Sequence, residues 1–272
     1  MYIVADIGGT KTRIAAARDA ESFTEPVILD TPQRYEDALQ LISDTAKHLA
    51  GADPIEGFVA GVPVLLSPDK RTIVNATNLS EWSGARFAED IEQRLGARAH
   101  LENDVALIAL GEALYGAGQS SKDIVYITIS TGVNGAHVID GQLQPSRGIS
   151  TGRQYVSMDE PLRTWEQMIS GKSISEQYGK PPRELGKEWD GWETLARIAA
   201  FGILNTIVHW TPGMVILGGS MMNDIGIPVD RIQAHLARIW TASPEIPQIV
   251  HSKLGDIGGL YGGLARLKQL RA

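Results

Sequence analysis

Apolar residues along this chain fall into two alternating patterns, short β-prone runs and longer stretches of helical period. Tyr2–Ala5 is apolar, Gly8-Gly9 turns the chain, and Thr12–Ala17 resumes, which predicts a hairpin with a glycine turn. Tyr35–Leu49 carries Ala38, Leu39, Leu41, Ile42, Ala46 and Leu49 at helical spacing and is closed by Gly51. Gly57–Val62 reads as a short strand ended by Pro63. Phe87–Leu95 reads as a helix closed by Gly96, followed by a short strand at Ala99–Leu101. Val105–Tyr115 predicts a helix capped by Asn103 or Asp104 and closed by Gly116. The pattern then restarts. Ile124–Ile129 is a β-type run, Gly132 turns, and Gly135–Ile139 resumes before an Asp140-Gly141 turn. Residues 145–162 have no clear period. Trp192–Val208 is helical, Pro212-Gly213 breaks it, and the buried-type strand Met214–Leu217 runs into Gly218-Gly219. Val229–Trp240 reads as a helix, Gln248–Lys253 as a strand and Leu260–Leu270 as a closing amphipathic helix.

A strand–glycine turn–strand unit near residue 8 and another near residue 132 predict two related α/β lobes. The boundary falls near Gly116–Lys122. The first lobe is then residues 1–118, rejoined by a C-terminal helix over 257–272, and the second is 119–256.

Composition narrows the chemistry. The 272 residues are 43% hydrophobic and 21% charged, enough to bury a core without cross-links. Cysteine is absent, so neither a disulfide framework nor a thiolate metal site can form, which fits a reducing cytoplasm. With a formal net charge of −7 and no long run of like charge, nucleic acid and membrane surfaces are not expected partners. The start does not read as a signal peptide, because Asp6, Lys11 and Arg13 interrupt it, and no apolar stretch is long enough for a transmembrane helix.

Four short segments carry candidate chemistry. In Asp6-Ile7-Gly8-Gly9-Thr10-Lys11, backbone N–H groups in a tight turn can face a phosphate because no Cβ intervenes. Thr10 adds a hydroxyl, Lys11 a positive charge, and Asp6 could hold Mg²⁺ through water; a plain glycine hairpin is the competing reading. Ser130-Thr131-Gly132-Val133-Asn134-Gly135 repeats that logic. Gly218-Gly219-Ser220 follows a buried strand and would let a flat ligand such as adenine approach the backbone, or else is a simple strand-to-helix turn. In Glu102-Asn103-Asp104 a carboxylate at a strand end can accept a hydroxyl proton; alternatively Asp104 is only a helix cap. Gly171-Lys172-Ser173 resembles the end of a P-loop, but Glu166 stands where that motif needs glycine. The six histidines are scattered without metal-ligand spacing.

Taken in order, these segments resemble the ROK family of sugar kinases, which includes bacterial glucokinases, fructokinases and N-acylmannosamine kinases. The likeness runs from Asp6-Ile-Gly-Gly-Thr-Lys through Thr77-Asn78-Leu79-Ser80-Glu81-Trp82 and Glu102-Asn103-Asp104 with Gly111-Glu112. It continues through Ser130-Thr131-Gly132 and Asp140-Gly141 to Pro212-Gly213-Met-Val-Ile-Leu-Gly-Gly219 and Gly255-Asp256-Ile257-Gly258-Gly259. The resemblance implies a two-lobed actin/hexokinase-type (ribonuclease H-like) ATPase fold with an interlobe cleft. It implies a cytoplasmic, glucokinase-like carbohydrate kinase that uses ATP with Mg²⁺, takes a small sugar, and leaves a homodimer open. Asp104 would be the base, and Asn78, Asn103 and Glu166 would touch the sugar. Gly8, Gly9, Thr10, Thr131 and Gly132 would contact the phosphates, with Asp6 and Lys11 beside them, and Gly219 would lie by the adenosine.

The chain also departs from the family. Where a Gly-Glu-x-Gly-His element and a cysteine-rich zinc loop are usual, it has Gly152-Arg153-Gln154-Tyr155-Val156-Ser157-Met158 and no cysteine, so no zinc is expected. Glu166 matches the final glutamate of that loop. Arg153, Gln154 and Tyr155 in place of the Glu and His imply either reversed polarity in the acceptor pocket or a shortened surface loop. A catalytically impaired sugar sensor is the alternative to a kinase. A repressor is disfavoured, because the first strand begins by residue 2 and leaves no room for a helix-turn-helix.

Overall fold

The computed structural model describes residues 1–145 and 150–271. They form two compact units, residues 1–115 with 256–271, and residues 116–144 with 150–255.

In the first unit the chain runs β1 (Tyr2–Ile7), β2 (Lys11–Ala17), β3 (Val27–Asp30), α1 (Tyr35–Ala50), β4 (Gly57–Val62), β5 (Leu65–Leu66), β6 (Ile73–Asn75), α2 (Phe87–Leu95), β7 (Arg98–Asn103) and α3 (Asp104–Tyr115). Its main sheet has the order β3-β2-β1-β4-β7. β1, β2 and β3 form an antiparallel meander, and β4 and β7 add on in parallel beyond β1. The alternation along β1 explains its place at the centre. Ile3, Ala5 and Ile7 join the core beneath α1 and α2, while Val4 packs with Leu260 and Leu264 on the opposite face. Each such aliphatic burial contributes about 1.5–3 kcal/mol.

The second unit contains β8 (Asp123–Ile129), β9 (Val133–Ile139), β10 (Gln142–Leu143), α4 (Trp165–Ile169), α5 (Gly171–Tyr178), α6 (Gly191–Trp210), β11 (Met214–Gly218), α7 (Val229–Ile239) and β12 (Gln248–His251). The sheet order is β10-β9-β8-β11-β12, again an antiparallel meander extended by two parallel strands. Val125, Ile127 and Ile129 of β8 and Val215 and Leu217 of β11 face α6 and α7 across one core. The chain closes with α8 (Gly258–Arg271), which packs on α3 and β1 of the first unit.

The two glycine hairpins and the predicted helices are present, with shifts at functional places. The strand expected at Ala99–Leu101 extends to Asn103, so Glu102 and Asn103 are strand residues and Asp104 opens the helix. The closing helix begins at Gly258 rather than Leu260, because its glycines pack at a crossing with α3. Gly171-Lys172-Ser173 opens α5, capped by the Ser170 hydroxyl, and is no P-loop. Of the irregular stretch 145–162, residues 146–149 lie outside the described residues; the rest holds a short turn, Thr151–Arg153, and an antiparallel bridge from Tyr155 to Thr164.

Candidate active site

In the first unit the chemistry gathers where β1, β4 and β7 end. The register sets Asp6 beside Gly61 of β4, and Gly61 beside Glu102 of β7. Gly61 lets α3 start close by, since a Cβ there would lie 3.1 Å from the Asp104 Cα. Asn103 Oδ1 accepts hydrogen bonds from the N–H groups of Val105 (3.2 Å) and Ala106 (3.3 Å), so Asn103 is the cap and Asp104 the first helical residue. That settles the two cap readings in favour of Asn103. The Asn103 Nδ2 points at Val64 O, 3.5 Å away.

Asp104 and Asp6 are recessed without being sealed from solvent. Burial pushes the Asp104 carboxyl up to about 6, against the opposing pull of the Val105 and Asp104 N–H groups and the Asn103 amide. Asp6 is pushed up to about 7, first by burial and then by the negative charge of Asp104; Arg13 pulls it partly back. Arg13 lies opposite Asp6 in the β1–β2 register and pairs with Asp256 at 2.9 Å. Gly259, near the start of α8, backs directly onto Asp6, and a Cβ there would run into the carboxylate. Each carboxylate thus meets a helix N-terminus, which favours its charged form.

The Gly8-Gly9 turn is closed by Gly8 N–H donating to Lys11 O at 2.8 Å. Its carbonyls are taken up: Thr31 Oγ1 donates to Gly8 O (2.8 Å), Gln33 Nε2 to Gly9 O (3.4 Å), and Thr31 N–H to Thr10 O (2.9 Å). The N–H groups of Gly9 and Thr10 have no partner among the described residues. A loop that sequesters its acceptors and leaves donors free suits an anion. Exposed Asn78 abuts this loop, its Cβ 3.4 Å from the place a Gly9 Cβ would take. The Lys11 ammonium pairs with Asp30 of β3 at 2.6 Å on the exposed edge.

The second unit repeats the arrangement. Ser130 N–H donates to Gly132 O (2.8 Å), Gly171 N–H donates to Ser130 O (2.7 Å), and the N–H groups of Thr131 and Gly132 have no partner among the described residues. Glu166 Oε2 accepts from Val133 N–H at 2.9 Å, and a Cβ at Gly132 would come within 2.7 Å of that oxygen. Glu166 thus braces the turn. The capping box of Thr164 and Gln167 and the fully buried Trp165 hold Glu166 in place. Gly219, directly after β11, has φ 93° and lies next to Ile129 O on β8, where a side chain would collide. Its neighbour Ser220 shares a 3.0 Å hydrogen bond with Ser130, so the second and third glycine segments adjoin.

Two units therefore collect the expected residues: Asp6, Gly8, Gly9, Thr10, Asn78, Asn103 and Asp104 in one, and Thr131, Gly132, Glu166 and Gly219 in the other. Gln154 is not among them, since its amide turns to Gly202 O (3.3 Å) and Thr206 Oγ1 (3.5 Å) of α6. Arg153 and Tyr155 are exposed. Sequence reasoning missed Thr31, which has no motif of its own, and the role of Gly259, although its Gly-Gly pair stood in plain view. Among the described residues no group of three His, Asp or Glu could hold a metal ion, and no helix is long and apolar enough to cross a membrane.

The doubled sheet with a glycine hairpin at each centre defines an α/β protein of the actin/hexokinase type. Residues 2–269 match the ROK family, and the chain belongs to it. Similar proteins include a glucokinase of Streptomyces coelicolor, 22% identical over 96% of this chain and 96% of its own length. Another is an N-acetyl-D-glucosamine kinase of Vibrio parahaemolyticus, 21% identical over 96% and 98%. The crystal structure of a ROK family glucokinase from Streptomyces griseus in complex with glucose and AMPPNP superposes with a TM-score of 0.82 at 24% identity, covering 98% of this chain and 99% of that one.

Proposed function

We propose that the protein transfers the γ-phosphoryl group of Mg²⁺-bound ATP to a hydroxyl of a sugar. The observation that carries this reading is Asp104, a recessed carboxylate whose helix is capped by its neighbour Asn103 and whose pKa is raised to about 6. Such a group is charged and basic enough near neutral pH to take a hydroxyl proton. As the acceptor oxygen bonds to phosphorus, its proton passes to Asp104 and the bond to the β-phosphate oxygen breaks, releasing ADP. The free N–H groups of Gly9 and Thr10 in the first unit, and those of Thr131 and Gly132 in the second, would each hold phosphate oxygens, and Asp6 would hold the nucleotide's Mg²⁺ through water. In the first unit Asn78 and Asn103 would contact the acceptor; in the second Glu166 would contact it and Gly219 would admit the adenosine.

The test is a coupled ADP-release screen over hexoses, amino sugars and cyclitols. Sugar-dependent release should appear and fall by about 10²–10⁴-fold in Asp104→Asn. A variant retaining more than a few tenths of the wild-type rate would remove Asp104 from the chemistry. The chain's relatives are named for glucose and N-acetyl-D-glucosamine. Here Gln154 is committed to α6, so the altered polarity expected near the acceptor falls to exposed Arg153 and Tyr155, and an acceptor other than glucose should give the higher kcat/KM. A second reading, a sugar sensor, draws on the same departure; it predicts sugar binding by calorimetry without turnover of ATP.

A further inference from the structure

Lys70 has φ 57°, in the left-handed region that glycine occupies at no steric cost. The turn around it closes without its side chain. Lys70 N–H donates to Ser67 O (2.9 Å), and Ser67 Oγ accepts from Arg71 N–H (3.2 Å) and Thr72 N–H (3.0 Å). A lysine in place of glycine thus invites a reason in its ammonium group. That group reaches 2.6 Å from Glu102 Oε2, and the Glu102 side chain is only 3% exposed. The other carboxylate oxygen lies 3.5 Å from Arg266 Nε on α8. One buried charge therefore ties together the loop between β5 and β6, the end of β7, and the helix whose first turn backs onto Asp6.

The position of this tie matters because Glu102 directly precedes Asn103 and Asp104. β7 grips the β5–β6 segment twice, through Asn103 to Val64 O at its start and through Glu102 to Lys70 at its turn. That segment leads on to Asn78. We propose that Glu102 is a positioning residue for the acceptor and that Lys70 is the clamp that holds it. The pair fixes the β7–α3 junction against the loop leading to Asn78, which sets how well an acceptor hydroxyl meets Asp104. The inference rests on the kinase reading above. It assigns Lys70 and Glu102 no contact with the reacting atoms.

Lys70→Gly suits the backbone and removes only the clamp. Its KM for glucose or N-acetylglucosamine, whichever gives more ADP release with the unaltered protein, should rise about tenfold, because the acceptor must then order the junction as it binds. The KM for ATP should stay within about twofold, and Lys70→Arg should restore the acceptor KM. Hydrogen exchange gives a second readout that needs no turnover. The Val105 and Ala106 amides, held by the Asn103 cap, should exchange faster in Lys70→Gly and normally in Lys70→Arg, while peptides from residues 150–255 stay unchanged. If Lys70→Gly does not fold, Lys70→Gly/Glu102→Gln, which removes the buried charge with its partner, should show the same changes. Wild-type acceptor KM and wild-type exchange in the folded variant would overturn the clamp. Absence of any sugar-dependent ADP release would sink the kinase reading, while the exchange measurement would still decide the clamp.

Discussion

Asp6 and Asp104 illustrate how a single side chain couples stability to activity. The Asp6 carboxyl titrates at about 7 when folded, above the ordinary carboxylate value, chiefly because it is buried and then because Asp104 is near. Between about pH 4 and pH 7 the folded chain therefore holds a proton that the unfolded chain has lost, and stability falls as pH rises through that window. Asp6→Asn removes this penalty. It should melt a few degrees higher than the unaltered protein at pH 8, with little difference at pH 4, and should lose turnover. An equal drop in Tm at both pH values would show that the carboxylate is paired rather than strained. Activity runs the other way: Asp104 must be charged to act as base, so kcat should climb as pH rises through about 6. At this scale the sequence exposes residue types better than their partners. Lys11 reads as a phosphate ligand in its motif, and the motif gives no sign of Asp30, which β2–β3 pairing brings opposite it to within 2.6 Å. Asn103 and Asp104 are both good caps by type, and only the length of β7 decides between them.

At the scale of elements, strands and turns were legible where local chemistry dictates them. The Gly8-Gly9 and Gly132 hairpins follow from glycines between β-prone runs, and the strand at 57–62 falls where its apolar run ends at Pro63. β3 carries no such signal, since Val27–Asp30 is short and half exposed and exists by pairing with β2. The apolar period starts α8 only at Leu260, because Gly258 and Gly259 have poor helix propensity, which close packing against Asp6 and Gly111 overrides. The first turn can be tested as a phosphate element. A β-carbon at Gly9 would meet only the Asn78 Cβ at 3.4 Å, so the turn itself accommodates a side chain. Gly9→Val should fold, yet its methyl groups would shield the free N–H groups of the loop. Calorimetric titration should find ATP binding weakened by at least about tenfold, with acceptor binding less affected. Unchanged nucleotide affinity would take this turn out of the phosphate site.

Over the whole molecule, the order meander-plus-two-parallel strands occurs twice, with the hairpin near residue 8 answering the one near residue 132. The sequence reveals the two hairpins but not the strand order, which is set by contacts between residues far apart in the chain. The segment leading to Glu166 is held by local contacts. In a chain without cysteine, the approach to Glu166 is fixed by the Thr164–Gln167 capping box and by Trp165, fully buried against Gly202 of α6. Hydrogen bonds and apolar burial can thus do there what a thiolate-bound metal would do elsewhere. The purified protein should accordingly contain no stoichiometric zinc, and a zinc-selective chelator should leave its melting temperature unchanged. Turnover should still stop when Mg²⁺ is withheld, because the metal arrives with the nucleotide and neutralises the phosphates in transfer. Elemental analysis giving about one zinc per chain, or a melting temperature that drops on chelation, would mean that dispersed histidines and carboxylates assemble a site and that the Trp165 packing does not suffice to hold Glu166.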